Sequence, residues 1–208
     1  MKIAPLRSAN EYLRKDHLRQ LNLNSNYWMK LSDAIALLKG GVPYSTSAQV
    51  WYDLGAGQGL FTQALSSLLP AQSLIYAVDL KKQRTHEHLI ANDVTVRQVR
   101  ADFTAYQPPQ LADGIVMANA LHFVKDKGAL LEKLFNVLLP AGVLVIVEYE
   151  MSTPTPWVPF PINFDALQEL IRSSCFKTIN KLHHASSRYV KGGMYSAVLN
   201  GAGARKEK

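Results

Sequence analysis

The chain has one cysteine among 208 residues, Cys175. That excludes an internal disulfide and a cysteine-based zinc site. No apolar run approaches the ~18 residues that a membrane-spanning helix needs. The first residues, Met1-Lys2-Ile3-Ala4-Pro5, lack the apolar stretch of a signal peptide. These absences lead to the expectation of a cytoplasmic protein with no membrane partner. Internal repeats are missing too. Acidic residues are the minority, 16 against 23 Lys and Arg, for a net charge of +7. The excess is uneven: residues 1–30 carry +4 and residues 205–208 carry +2, so the body is near neutral. A basic segment attracts nucleic acid or acidic small molecules. The simpler reading, which we favour, is a solvated helix face and a disordered tail. With 48% hydrophobic and 19% charged residues, the composition suits one globular domain with a short appendage.

What is present is organised around residues 50–59, Val-Trp-Tyr-Asp-Leu-Gly-Ala-Gly-Gln-Gly. An apolar run ends in Asp53, and Gly55, Gly57 and Gly59 follow at every second position. Leu60, Ala64, Leu65 and Leu68 then recur at helical spacing until Pro70. The pattern predicts a buried strand, a tight glycine turn and a helix, the opening unit of a doubly wound α/β domain. The dinucleotide spacing G-x-G-x-x-G fits badly, because its third glycine would fall on Leu60. A carboxylate at Asp53 would also repel a pyrophosphate at the helix N-terminus. It suits a ligand carrying a protonated amine.

Residues 73–79 read as a second strand ending in Asp79. A carboxylate there is placed to accept hydrogen bonds from ribose hydroxyls, or to cap a helix over Lys81–Ile90. Dinucleotides and adenosyl ligands share the ribose diol, so Asp79 does not separate them. Val94, Val96 and Val99 predict a third strand, with Asp102-Phe103 just beyond it. Residues 113–119 predict a fourth. A helix near 128–138 and a turn at Pro140-Ala141-Gly142 lead to a fifth at 143–147. Glu148 and Tyr149 lie at its end, on the edge where open α/β sheets bind ligands. Residues 152–161, rich in proline and carrying Trp157 and Phe160, predict an ordered loop crossing that edge. A helix at 164–174 and a closing antiparallel pair, 176–185 and 194–199, complete the core. Upstream, Ser8-x-x-Glu11 predicts a helix over about 9–20. Trp28, Leu31, Ile35 and Leu38 predict another, ended by Gly40-Gly41. The expected architecture is α/β: a doubly wound, mostly parallel seven-stranded Rossmann-like sheet with an antiparallel C-terminal strand. Residues 1–41 would form an N-terminal helical cap, 42–200 the main domain and 201–208 a disordered tail.

Asp53-x-Gly55-x-Gly57-x-Gly59 resembles the first motif of class I S-adenosylmethionine-dependent methyltransferases. Asn119-Ala120-Leu121-His122 resembles the fourth motif of the small-molecule branch of that family. The resemblance covers roughly residues 48–150. S-adenosylmethionine carries an amine and a sulfonium and no phosphate, in keeping with Asp53. The resemblance implies a cofactor site made of Asp53, Gly55, Ala56, Gly57, Gly59, Asp79, Leu80, Asp102, Phe103, Asn119 and Ala120. Within it Asp79 would take the ribose, Asp102 and Phe103 the adenine, and Asn119 the methionine part. Asp102 has a second reading as a turn residue. In the family, N-terminal helices often pack over the cofactor mouth, which makes Tyr12, Tyr27 and Trp28 pocket candidates, Trp28 with simple packing favoured. Arg188-Tyr189-Val190-Lys191-Gly192-Gly193 resembles a loop on the substrate side.

Methyl transfer from a sulfonium needs proximity and orientation. A base is needed only where the nucleophile must lose a proton. Candidates for that role are His122, Glu148 and Tyr149. His122 titrates in the right range for a base, or is a packing histidine beside the pocket. Glu148 is a candidate catalytic carboxylate or a partner for an Arg or Lys of the N-terminal helices. No metal is expected. His86 and His88 point apart on a helix, and His183 and His184 alternate across a strand. Neither Asn/Asp-Pro-Pro-Tyr/Phe nor a Pro-Cys at the fourth strand occurs. This argues against methylation of adenine's exocyclic amine and against a cysteine-nucleophile mechanism on cytosine. The expected acceptor is therefore a small molecule. The alternatives are an RNA methyltransferase using the basic N-terminal segment and a non-catalytic cofactor-binding subunit. The atom methylated and the oligomeric state carry no readable code.

Overall fold

The computed structural model describes residues 29–81, 90–187 and 190–201. The expected helix over 9–20, the pocket candidates Tyr12, Tyr27 and Trp28, the pair His86 and His88, and the tail beyond Gly201 lie outside them. Among the described residues seven strands are formed: β1 Val50–Leu54, β2 Leu74–Asp79, β3 Thr95–Arg100, β4 Ala112–Ala118, β5 Leu138–Tyr149, β6 Phe176–Ala185 and β7 Met194–Gly201. They make one sheet in the order β3-β2-β1-β4-β5-β7-β6. β1 to β5 pair in parallel. β7 lies antiparallel to both β5 and β6. The chain moves outward from β1 to β2 and β3, then returns to β4 on the other side of β1. The carboxyl ends of β1 and β4 flank that reversal, the position where open α/β sheets bind ligands.

Period-two alternation sorts the strand residues onto two apolar faces. Trp51, Ile75, Val116, Val143, Val145 and Val147 face one side, with Ala34, Leu37 and Leu38 of helix α1 (Leu31–Leu38) and Phe61, Ala64 and Leu65 of helix α2 (Leu60–Ser66). Tyr52, Leu54, Ile115, Met117, Leu144 and Ile146 face the other, under Leu130, Leu131 and Leu134 of α3 (Lys127–Val137) and Leu167 and Ile171 of α4 (Phe164–Arg172). Each fully buried Leu, Val or Ile contributes about 1.5–3 kcal/mol. Two such layers can therefore enclose a few polar groups at the sheet edge. The starts of α3 and α4 follow side-chain caps: Asp126 accepts from the Ala129 N–H at 3.0 Å and Asn163 from the Ala166 N–H at 2.9 Å.

The expected turn at Pro140-Ala141-Gly142 is an excursion inside β5. Ala112 pairs with Leu138 and Gly114 with Val143, so residues 139–142 swing out opposite Asp113 alone. Pro140 has no N–H to give to the ladder, which explains why pairing skips this stretch. A groove of about 420 Å3 lined by Gln107, Pro108, Gln110, Leu111, Lys133, Asn136 and Val137 opens at the amino end of β4. It lies at the opposite edge from the glycine turn. Among the described residues no helix is long and apolar enough to cross a membrane.

Candidate active site at the carboxyl edge of the sheet

Between β1 and α2 the chain turns through Gly55, Gly57 and Gly59, at φ +80°, +56° and +86°. Those angles suit glycine and strain most other residues. The N–H groups of Gly55 and Ala56 both donate to Val78 O, at 2.9 and 3.1 Å, which pins the turn to β2. A Cβ on Gly55 would lie 2.6 Å from the Ala120 Cβ, so the chain leaving β4 backs directly onto the turn. A Cβ on Gly57 would meet only Gly55 O, at 3.9 Å, so the space above the turn is open. The Gly57 N–H donates to Asp79 Oδ2 at 2.9 Å, and the Lys81 N–H donates to Asp79 Oδ1 at 2.8 Å. Asp79 is thus both a local cap and a brace for the turn. Each carboxylate oxygen keeps a lone pair for a further donor. Leu80 beside it accepts from Arg100 Nε at 3.2 Å.

Asp53 lies beneath this turn, 1% exposed, and accepts from the Thr62 hydroxyl at 2.6 Å. Burial pushes its carboxyl up to about 7; the Thr62 hydrogen bond lowers it and the nearby Asp79 raises it. Asp102 follows β3 and folds its carboxylate back on Thr104, accepting from that residue's N–H at 2.9 Å and hydroxyl at 2.7 Å. It serves as a turn residue as well as standing near the site. Phe103 reaches the glycine turn: its Cε1 lies 3.7 Å from where a Gly55 Cβ would be.

Asn119 ends β4 in the left-handed region, φ +51°. Asparagine tolerates that conformation better than most residues. Its N–H donates to Val147 O at 2.8 Å. Its side-chain Oδ1 is buried and has no hydrogen-bond partner among the described residues. An orphaned buried acceptor costs about 1–3 kcal/mol, and this one sits one residue before Ala120, which backs onto the glycine turn. Beyond Ala120, residues Leu121–Phe123 form a single 3-10 turn that carries His122.

His122 and Glu148 form a buried pair, 3% and 1% exposed. Glu148 Oε2 stands 2.7 Å from His122 Nδ1, and Oε1 accepts the His122 backbone N–H at 3.1 Å. Among the described residues Glu148 therefore holds a histidine. Tyr149 is on the other face of β5, its ring centroid 5.9 Å from that of His122. The loop after β5 is clamped to the same turn. The Phe160 N–H donates to His122 O at 3.0 Å, and Lys127 Nζ donates to both Phe160 O and Val124 O at 2.8 Å. Burial pushes the Lys127 amine down, while Glu148 acts to raise it.

The carboxyl edge thus brings together the glycine turn, Asp53, Asp79, Phe103, Asn119, Ala120, His122, Glu148 and Tyr149. His183 and His184 go elsewhere, to Lys39 O at 3.2 Å and Gly192 O at 2.7 Å. Among the described residues no group of three or more His, Cys, Asp or Glu is placed to hold a metal ion. In the loop between β6 and β7, Arg188 and Tyr189 lie outside the described residues, and Gly193 O accepts from the Glu150 N–H at 3.0 Å. Two residues went unnoticed in the sequence, Thr62 and Lys127. Thr62 stands one helical turn beyond Gly59, and Lys127 begins a helix. Neither position carries a pattern that marks it.

Residues 52–146 match the model of a methyltransferase domain. Uncharacterized methyltransferases of Mycobacterium bovis and Mycobacterium tuberculosis are 31% identical to the chain over 115 residues, 55% of this chain and 56% of theirs. The matched part of the chain thus spans about half the length of these relatives. Among solved structures, 1,6-didemethyltoxoflavin-N1-methyltransferase of Burkholderia thailandensis, with bound 1,6-didemethyltoxoflavin and S-adenosylhomocysteine, gives a TM-score of 0.68 at 18% identity, over 97% of this chain and 93% of that one. A SAM-dependent methyltransferase from Aquifex aeolicus gives 0.63 at 17% identity, over 89% and 98%. At these identities the structural likeness is one of fold. The sequence match runs from β1 into β5, through the glycine turn, Asp79, Asn119 and His122. By that match and by its sheet, residues 52–146 of the chain are similar to a methyltransferase domain, and the chain shares the fold of the solved methyltransferases.

Proposed function

We propose that this chain transfers the methyl group of S-adenosylmethionine to a small-molecule acceptor by in-line displacement. The observation that carries this reading is the buried Asn119 Oδ1, without a partner among the described residues, at the strand end that leads into Ala120 against an open glycine turn. A ligand with an amine fits that acceptor, and the raised carboxyl of Asp53 nearby favours a cation over a phosphate. The bound S-adenosylmethionine supplies an activated methyl group on a sulfonium. The chain's own residues supply position. Gly55, Ala56, Gly57 and Gly59 let the ligand close on the backbone. Asp79, with Leu80 beside it, accepts from the ribose. Asp102 and Phe103 border the adenine, and Asn119, Ala120 and Asp53 face the amino-acid part. His122, Glu148 and Tyr149 stand at the same edge for the acceptor. A small acceptor is supported by the 1,6-didemethyltoxoflavin bound in the Burkholderia structure.

Calorimetric titration of the full chain with S-adenosylmethionine, S-adenosylhomocysteine and NAD tests the reading. Asn119→Gly keeps the left-handed backbone and removes only the amide. The two sulfur ligands should bind in the micromolar range, with Asn119→Gly at least ~10-fold weaker, as losing one buried hydrogen bond implies. NAD should not bind. Binding of NAD, or of none of the three, would overturn the reading. Methyl transfer to RNA with a steep salt dependence would replace the acceptor class.

A further inference from the structure

Resting on that methyl-transfer reading, we propose that the acceptor side of the site is a fixed wall, built before any ligand binds. The wall is the strap 150–163 between β5 and α4, and Lys127 is the positioning residue that fastens it. The sequence of the strap explains the need. Pro154, Pro156, Pro159 and Pro161 have no N–H, and each fixes its own φ. A stretch so short of donors cannot join the sheet, so its carbonyls must be tied by donors from elsewhere. Thr155 and Val158 donate their N–H groups to each other's O, at 3.1 and 3.2 Å. The Val158 N–H also reaches Thr155 Oγ1 at 3.1 Å. This closed turn buries Val158 and leaves Trp157 exposed. Phe160, between two prolines, has the N–H that goes outward, to His122 O at 3.0 Å.

Phe160 O then needs a donor, and Lys127 supplies it. Its Nζ stands 2.8 Å from Phe160 O and 2.8 Å from Val124 O. It also lies 5.8 Å from the centre of the Phe160 ring. Val124 follows the 3-10 turn that carries His122, so one ammonium ties the strap to that turn. Its position is otherwise a poor one for a lysine. Lys127 opens α3, where the helix dipole disfavours a cation. It is half-buried, where a charge costs free energy unless it is hydrogen-bonded. The helix start does not need it, because Asp126 is the cap. The two carbonyls it joins account for a lysine kept against both penalties. The far end of the strap is fastened separately. Glu150 Oε1 accepts the Phe164 N–H at 2.9 Å, and Oε2 pairs with Lys181 Nζ at 2.8 Å. Tyr195 donates its hydroxyl to Ile162 O at 2.9 Å.

The consequence falls on the acceptor. The His122 turn follows Ala120, which backs onto the glycine turn, so the strap borders the edge that holds the cofactor residues. A loop that orders only on binding subtracts its ordering entropy from the affinity. A strap already fastened does not. Losing Lys127 should therefore weaken the acceptor and spare the cofactor, because Val78 O, not the strap, holds the Gly55 and Ala56 N–H groups.

The test is amide hydrogen exchange of the full chain, alone and with S-adenosylhomocysteine. In the parent the Phe160 amide should be protected without ligand, and its rate should change less than ~3-fold on adding it. Lys127→Met keeps an unbranched stem and removes the ammonium. It should speed exchange at Phe160 ~10-fold or more, as losing hydrogen bonds from a charged donor implies. The Gly55 and Ala56 amides should keep their rates, and S-adenosylhomocysteine affinity should stay within about twofold. Lys127→Arg keeps a charged donor and should restore slow exchange at Phe160. Labelled S-adenosylmethionine with 1,6-didemethyltoxoflavin as the probe acceptor gives a kinetic readout. Lys127→Met should raise KM for the probe ~10-fold with kcat within about threefold. If the probe is not labelled, the exchange rates decide. A Phe160 amide protected only once S-adenosylhomocysteine is bound would make the strap a closing lid and overturn the proposal. So would unchanged exchange at Phe160 in Lys127→Met, or a fall in kcat with KM unchanged. If Lys127→Met does not fold, Lys127→Gln takes its place with the same expected outcomes. Failure of the parent to bind S-adenosylhomocysteine would overturn the methyl-transfer reading. Fast exchange at Phe160 in a parent that binds it would overturn this proposal alone.

Discussion

Asp53 and Glu148 end two parallel strands of one sheet, each 1% exposed, with β4 between them. Strand alternation puts them on opposite faces, Asp53 with Trp51 and Glu148 with Leu144 and Ile146. Their partners differ in kind. Asp53 has a neutral hydroxyl, that of Thr62, and a second carboxylate nearby. Glu148 has an imidazole N–H and a backbone N–H, one on each oxygen. Equal burial therefore has different consequences. A hydroxyl does not compensate a buried negative charge, so burial pushes the Asp53 carboxyl up to about 7. Glu148 is a closed pair that needs nothing from a ligand. The first group is suited to binding and the second to fixing another residue's chemistry.

Breaking the closed pair should have the largest effect. Glu148→Ala leaves the His122 ring N–H and backbone N–H buried without acceptors, and should cost about 3–5 kcal/mol in urea unfolding. Asp53→Asn keeps an acceptor for Thr62 and should cost about 1 kcal/mol or less near neutral pH. Equal losses in the two variants would remove the distinction between the sites.

The next effect is a pH slope that belongs to Asp53. Its carboxyl is at about 7 in the folded chain against an ordinary 3.8. The folded state binds this proton more tightly than the unfolded chain does. The contribution is therefore complete below the ordinary value and is lost as pH rises to about 7. It amounts to about 4 kcal/mol at most. The difference in stability between pH 4 and pH 8 should shrink by this amount in Asp53→Asn. The ligand obeys the opposite sign. If the ionised carboxylate binds the ligand's amine, S-adenosylhomocysteine affinity should weaken about tenfold for each pH unit below 7 and level off above it. A flat affinity in the parent would separate Asp53 from the ligand's amine.

How far this contrast was readable beforehand follows from its physics. The succession of strands along the chain, the glycine turn and both carboxyls at strand ends were legible, because burial alternates with period two and glycines mark positive φ. The expectation that Pro140-Ala141-Gly142 is a separate turn fell short, since β-pairing resumes on both sides of it. Partners were not legible. Thr62 is 9 residues from Asp53, and Glu148 is 26 from His122. Nothing in the local pattern at either end names the other. Asp102 reads equally well as a ligand contact and as a turn residue, and its bonds to Thr104 support the turn role at least.

The smallest predicted effect, Thr62→Val, isolates the open carboxyl most cleanly. Thr62 is fully buried, and valine has nearly its shape, so the substitution removes little but the hydroxyl donor at 2.6 Å. At about pH 5 the folded Asp53 is protonated, and the lost bond should cost about 1 kcal/mol. At about pH 8 it is ionised, and losing a donor to a charged acceptor should cost about 1.5–3 kcal/mol. The cost of one methyl-for-hydroxyl exchange should therefore grow with pH, measured by urea unfolding at both values. The donor also lowers the carboxyl, so its removal should move the midpoint of the ligand-affinity profile above that of the parent. A cost independent of pH would mean that Asp53 does not change charge in this range, and the contrast with Glu148 would then rest on geometry alone.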